Sequence, residues 1–188
     1  MMRTALSCLI AGLLSVCSAA RAADAVPPGF QISPMNRATI FVRDQQKSLK
    51  LYRDLLGLRV FFDNYWDNDG INAIMNTKGA TLHSIVLESG DSVFGKLGIY
   101  QLGPAQNAKA PPPEQGTVTK TGDFAIVFTT SDIDGFMAKI KAAGYPIISP
   151  PVVLRPNPDY EVQAREMMFR DPDGVLVNLV QPGVAKKK

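Results

Sequence analysis

The feature that most constrains this chain is one order of secondary structure that occurs twice. In the second copy, an apolar strand predicted over residues 124–130 leads into Asp132, which can cap a helix, and Gly144 is suited to end that helix. The apolar positions of the helix recur with a 3.6-residue period and are Ile133, Phe136, Met137 and Ile140. An extended segment (146–153), a strand (166–170), an Asp-Pro-Asp-Gly turn (171–174) and a last strand (175–180) follow.

The first copy repeats this order near the start of the chain. A strand is predicted over residues 37–43, a helix capped by Asp44 over 45–56, and further strands over 58–66, 81–88 and 93–102. Asp44 and Asp132 are 88 positions apart, and the two helix-ending glycines, Gly57 and Gly144, are 87 apart. One such unit would leave a sheet face open, whereas two units can enclose a cavity.

Two stretches of the repeat resemble a known family. Residues 41–60 (FVRDQQKSLKLYRDLLGLRV) and 169–182 (FRDPDGVLVNLVQP) are similar to signature stretches of the vicinal oxygen chelate superfamily. That superfamily includes glyoxalase I, extradiol dioxygenases, fosfomycin-resistance enzymes and bleomycin-resistance proteins. The resemblance implies an α+β fold of two tandem βαβββ modules whose mixed sheets curl around a shared cleft. Its parts are module one (35–104), a linker (105–121), module two (122–182) and a basic tail (183–188).

The first 22 residues read as a secretory signal peptide. Arg3 supplies a positive charge, residues 5–16 are an apolar run too short to span a membrane comfortably, and Ala20-Arg21-Ala22 is a small-x-small cleavage site. We therefore expect cleavage after Ala22, a leader over 23–34 and a periplasmic location. An uncleaved membrane anchor and a lipoprotein attached at Cys17 are the alternatives.

Cleavage would change the chemistry that the chain can use. Both cysteines, Cys8 and Cys17, lie in the removed segment, which excludes disulfides and thiol nucleophiles from the mature chain. Two of the 20 basic residues, Arg3 and Arg21, leave with it, so that 18 face 17 acidic residues. A balance near zero argues against nucleic-acid or anionic-membrane binding. The expected partner is a small-molecule ligand, bound by a monomer or homodimer without a membrane segment.

The resemblance also indicates where a metal would be held. It places the family's ligand positions at Arg37, Tyr100, Ala125 and Asn178, with Tyr100 uncertain by one or two residues. Arg and Ala cannot bind a cation through their side chains, and Tyr and Asn are poor ligands for Zn²⁺ or Ni²⁺. The chain has a single histidine, His83, so that neither a three-His zinc site nor a two-His iron site fits within it. We therefore predict no metal cofactor.

Without metal, the cleft is expected to bind a small molecule. Arg37 offers a charged, forked donor for a carboxylate or phosphate, and the predicted floor is apolar at Val127, Leu176 and Val180. The predicted ligand-binding residues are Arg37, Phe41, Tyr100, Asn178, Tyr65, Trp66 and His83. The alternatives are structural: Arg37 paired with an acid, residues 64–77 as a plain surface loop, and His83 as a partly buried histidine with a hydrogen-bond partner.

Three functions follow from this sequence. The first is a binding protein of the bleomycin-resistance kind, which holds a small, partly apolar molecule that an anionic group would suit to Arg37. The second is a glyoxalase- or dioxygenase-type enzyme, a lyase or oxidoreductase whose metal site is displaced or absent. The third is a protein-interaction module. The proline-containing linker (105–121) is expected to be flexible, and residues 150–158 are expected to form an irregular rim loop.

Overall fold

The computed structural model of the chain describes residues 31–92 and 94–187. The predicted signal peptide, the leader up to residue 30, Val93 and Lys188 lie outside the described residues. Residues from Met35 onward belong to one compact unit. In the part of the chain that is described, no helix combines the length and the hydropathy needed to cross a membrane.

Module one contains the predicted strand, helix and three further strands. Its elements are β1 (Arg37–Phe41), α1 (Gln45–Leu49), a π-helical continuation (Lys50–Leu55), β2 (Arg59–Trp66), α2 (Asp69–Met75), β3 (Leu82–Glu88) and β4 (Lys96–Leu102). The strands form a first sheet in the order β1-β4-β3-β2. β1 runs parallel to β4, and the remaining pairs are antiparallel.

Module two repeats this arrangement after a short helix, α3 (Pro104–Asn107). Its elements are β5 (Ala125–Thr129), α4 (Ile133–Ala142), β6 (Ile147–Val152), β7 (Tyr160–Val162), β8 (Arg165–Arg170), β9 (Leu176–Gln181) and β10 (Val184–Ala185). The second sheet has the order β5-β9-β8-β6, with β5 parallel to β9. β7 and β10 form a separate antiparallel ribbon. The predicted α+β fold of two tandem βαβββ modules is confirmed.

The predicted caps define the starts of both main helices. The Asp44 carboxylate accepts hydrogen bonds from the backbone N–H groups of Gln46 and Lys47. Asp132 accepts one from the Gly135 N–H at 2.9 Å. Each cap satisfies a backbone donor that the first helical turn leaves without an intrahelical partner.

The segment after β2 is not the loop that the sequence suggested. Its Asn, Asp and Gly content predicted irregular structure over residues 64–77, but Asp69–Met75 is helical. The Asn68 side chain accepts a hydrogen bond from the Ile71 N–H at 3.0 Å and so caps this helix. Asn76 ends it in the left-handed conformation, with φ of 51°. The loop prediction was wrong there because the same polar residues that favour turns also cap helices.

The hydrophobic core lies on the helix-facing side of both sheets. Strand residues such as Ile40 and Ile99 from module one, and Val177 and Leu179 from module two, are buried there in one continuous cluster. The helices contribute Leu49, Leu51, Tyr52, Ile133 and Ile140 to the same cluster. Because successive strand residues point to opposite faces, the other face of each sheet is left free of this core.

The linker is tied to both modules rather than left as a free segment. Arg170 is 1% exposed, and its guanidinium donates to the Gly116 and Gly174 carbonyl oxygens at 2.7 Å. Arg43 donates to the Pro111 carbonyl oxygen and forms an ion pair with Asp173 at 2.7 Å. These contacts differ from the flexible connection that the polar, proline-rich sequence predicted.

Candidate functional site

Each sheet has an open face, defined here as the face turned away from the helices. On the first sheet, the open face carries Arg37 and Phe41 from β1 and their neighbour Tyr100 from β4. On the second sheet, it carries Val127 from β5 and its partner Asn178 from β9. Phe41 is 51% exposed and Val127 is 59% exposed, which makes both faces accessible apolar surfaces.

Arg37 lies beside an aromatic pair on the first sheet. Its guanidinium carbon is 5.4 Å from the Tyr100 ring centroid, and the Phe41 ring contacts the same tyrosine edge-on at 5.8 Å. Its Nε donates to the Thr39 hydroxyl at 3.1 Å. Among the described residues it forms no salt bridge, so its positive charge remains available on this face.

Asn178 occupies the open face of the second sheet. Its amide nitrogen donates to the Glu166 carboxylate at 2.9 Å. Its amide oxygen is buried and has no hydrogen-bond partner within the described part of the chain. Arg37 and Tyr100 belong to the other sheet, and no hydrogen bond or ring contact among the described residues joins them to Asn178.

The strand register changes the correspondence between the two modules. Arg37 pairs with Lys96 and Ala125 pairs with Leu176, so Asn178 in module two corresponds to Gly98 in module one. Tyr100 corresponds instead to Val180. The likeness of residues 99–104 (IYQLGP) to residues 177–182 (VNLVQP) suggests a register that differs from this one by two residues. Tyr100 nevertheless remains on the open face because a shift of two preserves the side to which a strand residue points.

The residues at the positions of the family's metal ligands do not fit a divalent metal. With the corrected register these positions are Arg37, Gly98, Ala125 and Asn178, and none of them supplies an imidazole, carboxylate or thiolate. Within residues 31–92 and 94–187, no group of three or more His, Cys, Asp or Glu side chains is placed to hold a metal ion.

Trp66 and Tyr65, both predicted to bind the ligand, are on opposite faces of the first sheet. Trp66 is on the open face, where its indole N–H donates to the Ser84 hydroxyl at 2.7 Å and its ring stacks near Phe62. Tyr65 is on the helix-facing side and stacks on the His83 ring, with centroids 3.8 Å apart. The predicted ligand-binding residues are therefore divided between two places.

His83 belongs to a pocket at one corner of the first sheet. Its Nε2 atom lies 2.7 Å from the Asp63 carboxylate. The pocket has a volume of about 380 Å³. It is lined by Asp44, Gln45, Gln46, Tyr65, Thr81, His83, Gln101, Leu102, Gly103 and Pro104. Sequence reasoning missed Asp63 and Gln101 as its partners, although strict alternation along β2 would have placed Asp63 and Tyr65 on one face.

Two βαβββ modules, each with an open sheet face beside a shared core, define the class to which this chain is assigned. The family model of the Glyoxalase/Bleomycin resistance protein/Dioxygenase superfamily matches residues 35–179, and the chain belongs to that superfamily.

Solved structures agree with this assignment at the level of the fold. A glyoxalase family protein from Bacillus cereus superposes with a TM-score of 0.66 at 12% identity, over 84% of this chain and 99% of that one. A superfamily member from Sphaerobacter thermophilus gives 0.50 at 23% identity, over 81% and 99%. A glyoxalase/dioxygenase from Nostoc punctiforme gives 0.51 at 17% identity, over 79% and 90%. Comparison with curated proteins gives no match.

Proposed function

We propose that this protein is an exported binding protein whose open sheet faces hold a small, partly apolar, anionic molecule. The molecule would also carry an N–H or O–H group. The predicted signal peptide suggests export, and the residues on the open faces suggest binding. The four positions that correspond to the family's metal ligands carry no side chain suited to a divalent metal, which favours a binding role over a metal-dependent catalytic one.

The observation that carries the proposal is the amide oxygen of Asn178. A buried acceptor without a partner costs about 1–3 kcal/mol, because folding removes its hydrogen bonds to water and returns none. This oxygen lies on the open face, with its own amide nitrogen already engaged by Glu166. Because the oxygen is buried, a donor group on a bound molecule would satisfy it only after a movement of the side chain exposes it.

The remaining open-face residues suggest the rest of the ligand. Phe41, Tyr100 and Val127 supply apolar surface, which favours an aromatic or aliphatic body. Arg37 supplies the only formal charge in its cluster with Tyr100 and Phe41, and a guanidinium binds carboxylate or phosphate groups through paired hydrogen bonds. Together they favour an amphiphilic anion over a sugar or a polycation.

The test compares two arginine variants with the same co-purifying ligand. Native mass spectrometry of protein from its source identifies the ligand, and its affinity is then measured for wild type, Arg37→Ala and Arg53→Ala. Arg53→Ala is the matched control because Arg53 is an exposed arginine whose ion pair, among the described residues, is with its neighbour Asp54. We expect Arg37→Ala to weaken binding about ten- to a hundredfold, the loss of one charge-assisted hydrogen bond.

Melting temperature separates binding from a structural role. We expect it to be unchanged in Arg37→Ala, since no salt bridge would be broken. Unchanged affinity with a lowered melting temperature would identify Arg37 as structural. A stoichiometric divalent metal in the purified protein would instead favour the enzymatic alternative.

A further inference from the structure

The two modules differ at one equivalent corner, where the last strand of the sheet meets the start of the main helix. In both modules a glutamine at this corner accepts a hydrogen bond from the first helical N–H. Gln101 Oε1 accepts from Gln45 N at 2.8 Å, and Gln181 Oε1 accepts from Ile133 N at 3.2 Å. The two glutamines therefore mark the same point in the two modules.

The strand neighbours of these glutamines are not the same type of residue. Gln101 pairs with His83 across β4 and β3, whereas Gln181 pairs with Arg165 across β9 and β8. His83 and Arg165 thus occupy equivalent positions in a duplicated structure. The two corners can therefore be compared residue by residue.

In module two a guanidinium group occupies the side of the corner next to the start of the helix, and a separate cavity of about 560 Å³ borders the other side of Gln181. Arg165 forms a bidentate ion pair with Asp134, with N–O distances of 3.0 and 2.7 Å. It also donates to Gln181 Oε1 at 3.5 Å. The corner of module two is therefore a planar-cation site that is occupied by the chain's own arginine.

In module one the corresponding corner is an open pocket. His83 is shorter than arginine and is turned toward Asp63, 2.7 Å away, where Tyr65 covers its ring. The residue equivalent to Asp134, counted from the cap of each helix, is Gln46, which makes no such ion pair. The pocket of about 380 Å³ lies where module two places its guanidinium.

The charges around this pocket favour a cation. Its lining includes the carboxylate of Asp44, which also forms an exposed ion pair with Lys47 at 3.5 Å, and the lining itself contains no Lys or Arg. Asp63, behind His83, adds a second carboxylate with a half-exposed side chain. The N–H groups at the start of α1, which would otherwise attract an anion, are already engaged by Asp44 and Gln101.

We propose that the corner pocket of module one binds a small molecule through a planar cationic group, a guanidinium or an amidinium. The cation takes the place that Arg165 occupies in module two, with N–H groups toward Gln101 Oε1 and one flat face toward Tyr65. Tyr65 is 71% exposed, which leaves ring surface free for such a contact. This site is independent of the open-face site, from which it differs in location and in the charge of its ligand.

Benzamidinium chloride is the probe, because it joins an amidinium group to an aromatic ring. His83 is the only histidine in the sequence, so its imidazole NMR signals report the pocket without assignment ambiguity. Titration of the full chain with benzamidinium is expected to shift these signals saturably. Neutral benzamide and anionic benzoate are expected to bind at least about tenfold more weakly, since they lose the charge-assisted contacts.

Two variants test the location by ligand-observed NMR. Tyr65→Ala removes an exposed ring and is expected to weaken benzamidinium binding about fivefold. The double variant Gln46→Asp/His83→Arg reproduces the module two arrangement, and its own guanidinium should exclude the probe. The matched control, Arg37→Ala on the open face, is expected to bind benzamidinium as wild type does.

Three results would overturn the proposal. The first is equal affinity for benzamide and benzamidinium. The second is undiminished benzamidinium binding by a folded double variant or by Tyr65→Ala. The third is a loss of benzamidinium binding in Arg37→Ala, which would assign the probe to the open face. The first two results do not bear on the anionic ligand proposed for that face, whereas the third would count against it.

Discussion

At the scale of single residues, the most consequential side chain outside the two candidate sites is Asp171. It is fully buried in the turn between β8 and β9, and its carboxylate accepts hydrogen bonds from the Tyr52 hydroxyl at 2.8 Å and from the Val175 N–H at 2.8 Å. Burial raises the pKa of Asp171 from 3.8 to about 6, although these hydrogen bonds and that from the Asp173 N–H partly oppose the rise. Burial, followed by the charge of Asp171, raises the pKa of Tyr52 well above its ordinary value.

The raised pKa of Asp171 predicts how the stability of the protein depends on pH. Asp171 binds its proton more tightly in the folded than in the unfolded chain, so its stabilising contribution is fully present below about pH 3.8 and is lost as pH rises through about 6. The contribution is about 3 kcal/mol in the free energy of unfolding, from a pKa difference of about two units. Asp171→Asn should abolish it, because Asn does not titrate and can retain contacts with Tyr52 and the turn.

The measurement is the free energy of unfolding of wild type and Asp171→Asn by urea denaturation between about pH 4 and 7. The difference between the two proteins removes the contributions of carboxylates whose pKa is lowered, such as Glu114. We expect wild type to lose stability relative to the variant as pH rises. Parallel curves would show that Asp171 keeps an ordinary pKa.

At residue resolution, the sequence predicted side-chain direction well only where strands are regular. Arg37 and Phe41 lie on the face opposite Ile40, as alternation required. β2 contains an irregularity between Val60 and Phe62, which local sequence gives no means of locating. Tyr65 and Trp66 are adjacent and so necessarily point to opposite faces. Their opposite orientation was not predicted, because both were considered as part of a loop over residues 64–77.

At the scale of elements, the tight turn of residues 171–174 connects the second sheet to the linker. Gly174 has φ of 90°, and a Cβ atom built on it would lie 2.6 Å from the Glu114 backbone nitrogen. Gly144, at the end of α4, has a similar φ of 78°, but no atom of the residues that the structure describes lies within 4 Å of such an atom. The two glycines share a backbone conformation and differ in available space.

This difference predicts unequal effects of the same substitution. Gly144→Ala should cost about 1 kcal/mol, the strain of a left-handed alanine. Gly174→Ala should cost the same strain and also displace the linker backbone, for a total of about 3 kcal/mol or more. Urea denaturation of both variants checks the prediction. Equal costs would mean that the linker is free to move away from the turn.

Most elements followed from local signals, but their register did not. The helix caps and the terminal glycines were visible as residue types at the correct spacing, and they place α1 and α4 correctly. Register depends on pairing between residues distant in sequence, such as Val127 with Asn178. Likeness between two short strand endings is weak information about that pairing. Tyr100, placed to within one or two residues, is two residues from Gly98, which the register matches with Asn178.

At the scale of the whole molecule, the duplication predicted the architecture but not the contacts between its halves. The 88-residue repeat implied two modules, and two modules are present. The buried Arg170 and the Tyr52–Asp171 pair make contacts across 54 and 119 residues of the chain. These residues lie in the two stretches that resemble the family, but the stretches alone did not predict which residues contact each other. Whether the two open faces form one cleft, as the family resemblance implies, stays a prediction.

Export is also a property of the whole molecule, and mass measurement tests it. The signal-peptide pattern predicts a mature chain that begins at Ala23. Intact-mass spectrometry of protein recovered from the periplasmic fraction is expected to match residues 23–188. A cytoplasmic chain retaining residues 1–22 would contradict the prediction, and a lipid-modified chain beginning at Cys17 would establish the lipoprotein alternative.

The parallel pairing of the first and last strands in each module also has a consequence for the order of synthesis. Arg37 pairs with Lys96, and Ala125 with Leu176, so β1 and β5 obtain these partners only after a further 59 and 51 residues. The sheet of each module is therefore completed late, because its first strand must pair with a strand that is distant in the sequence. During translation, the residues made first in a module are among the last to be fixed, and a module interrupted before its fourth strand has no completed sheet to retain.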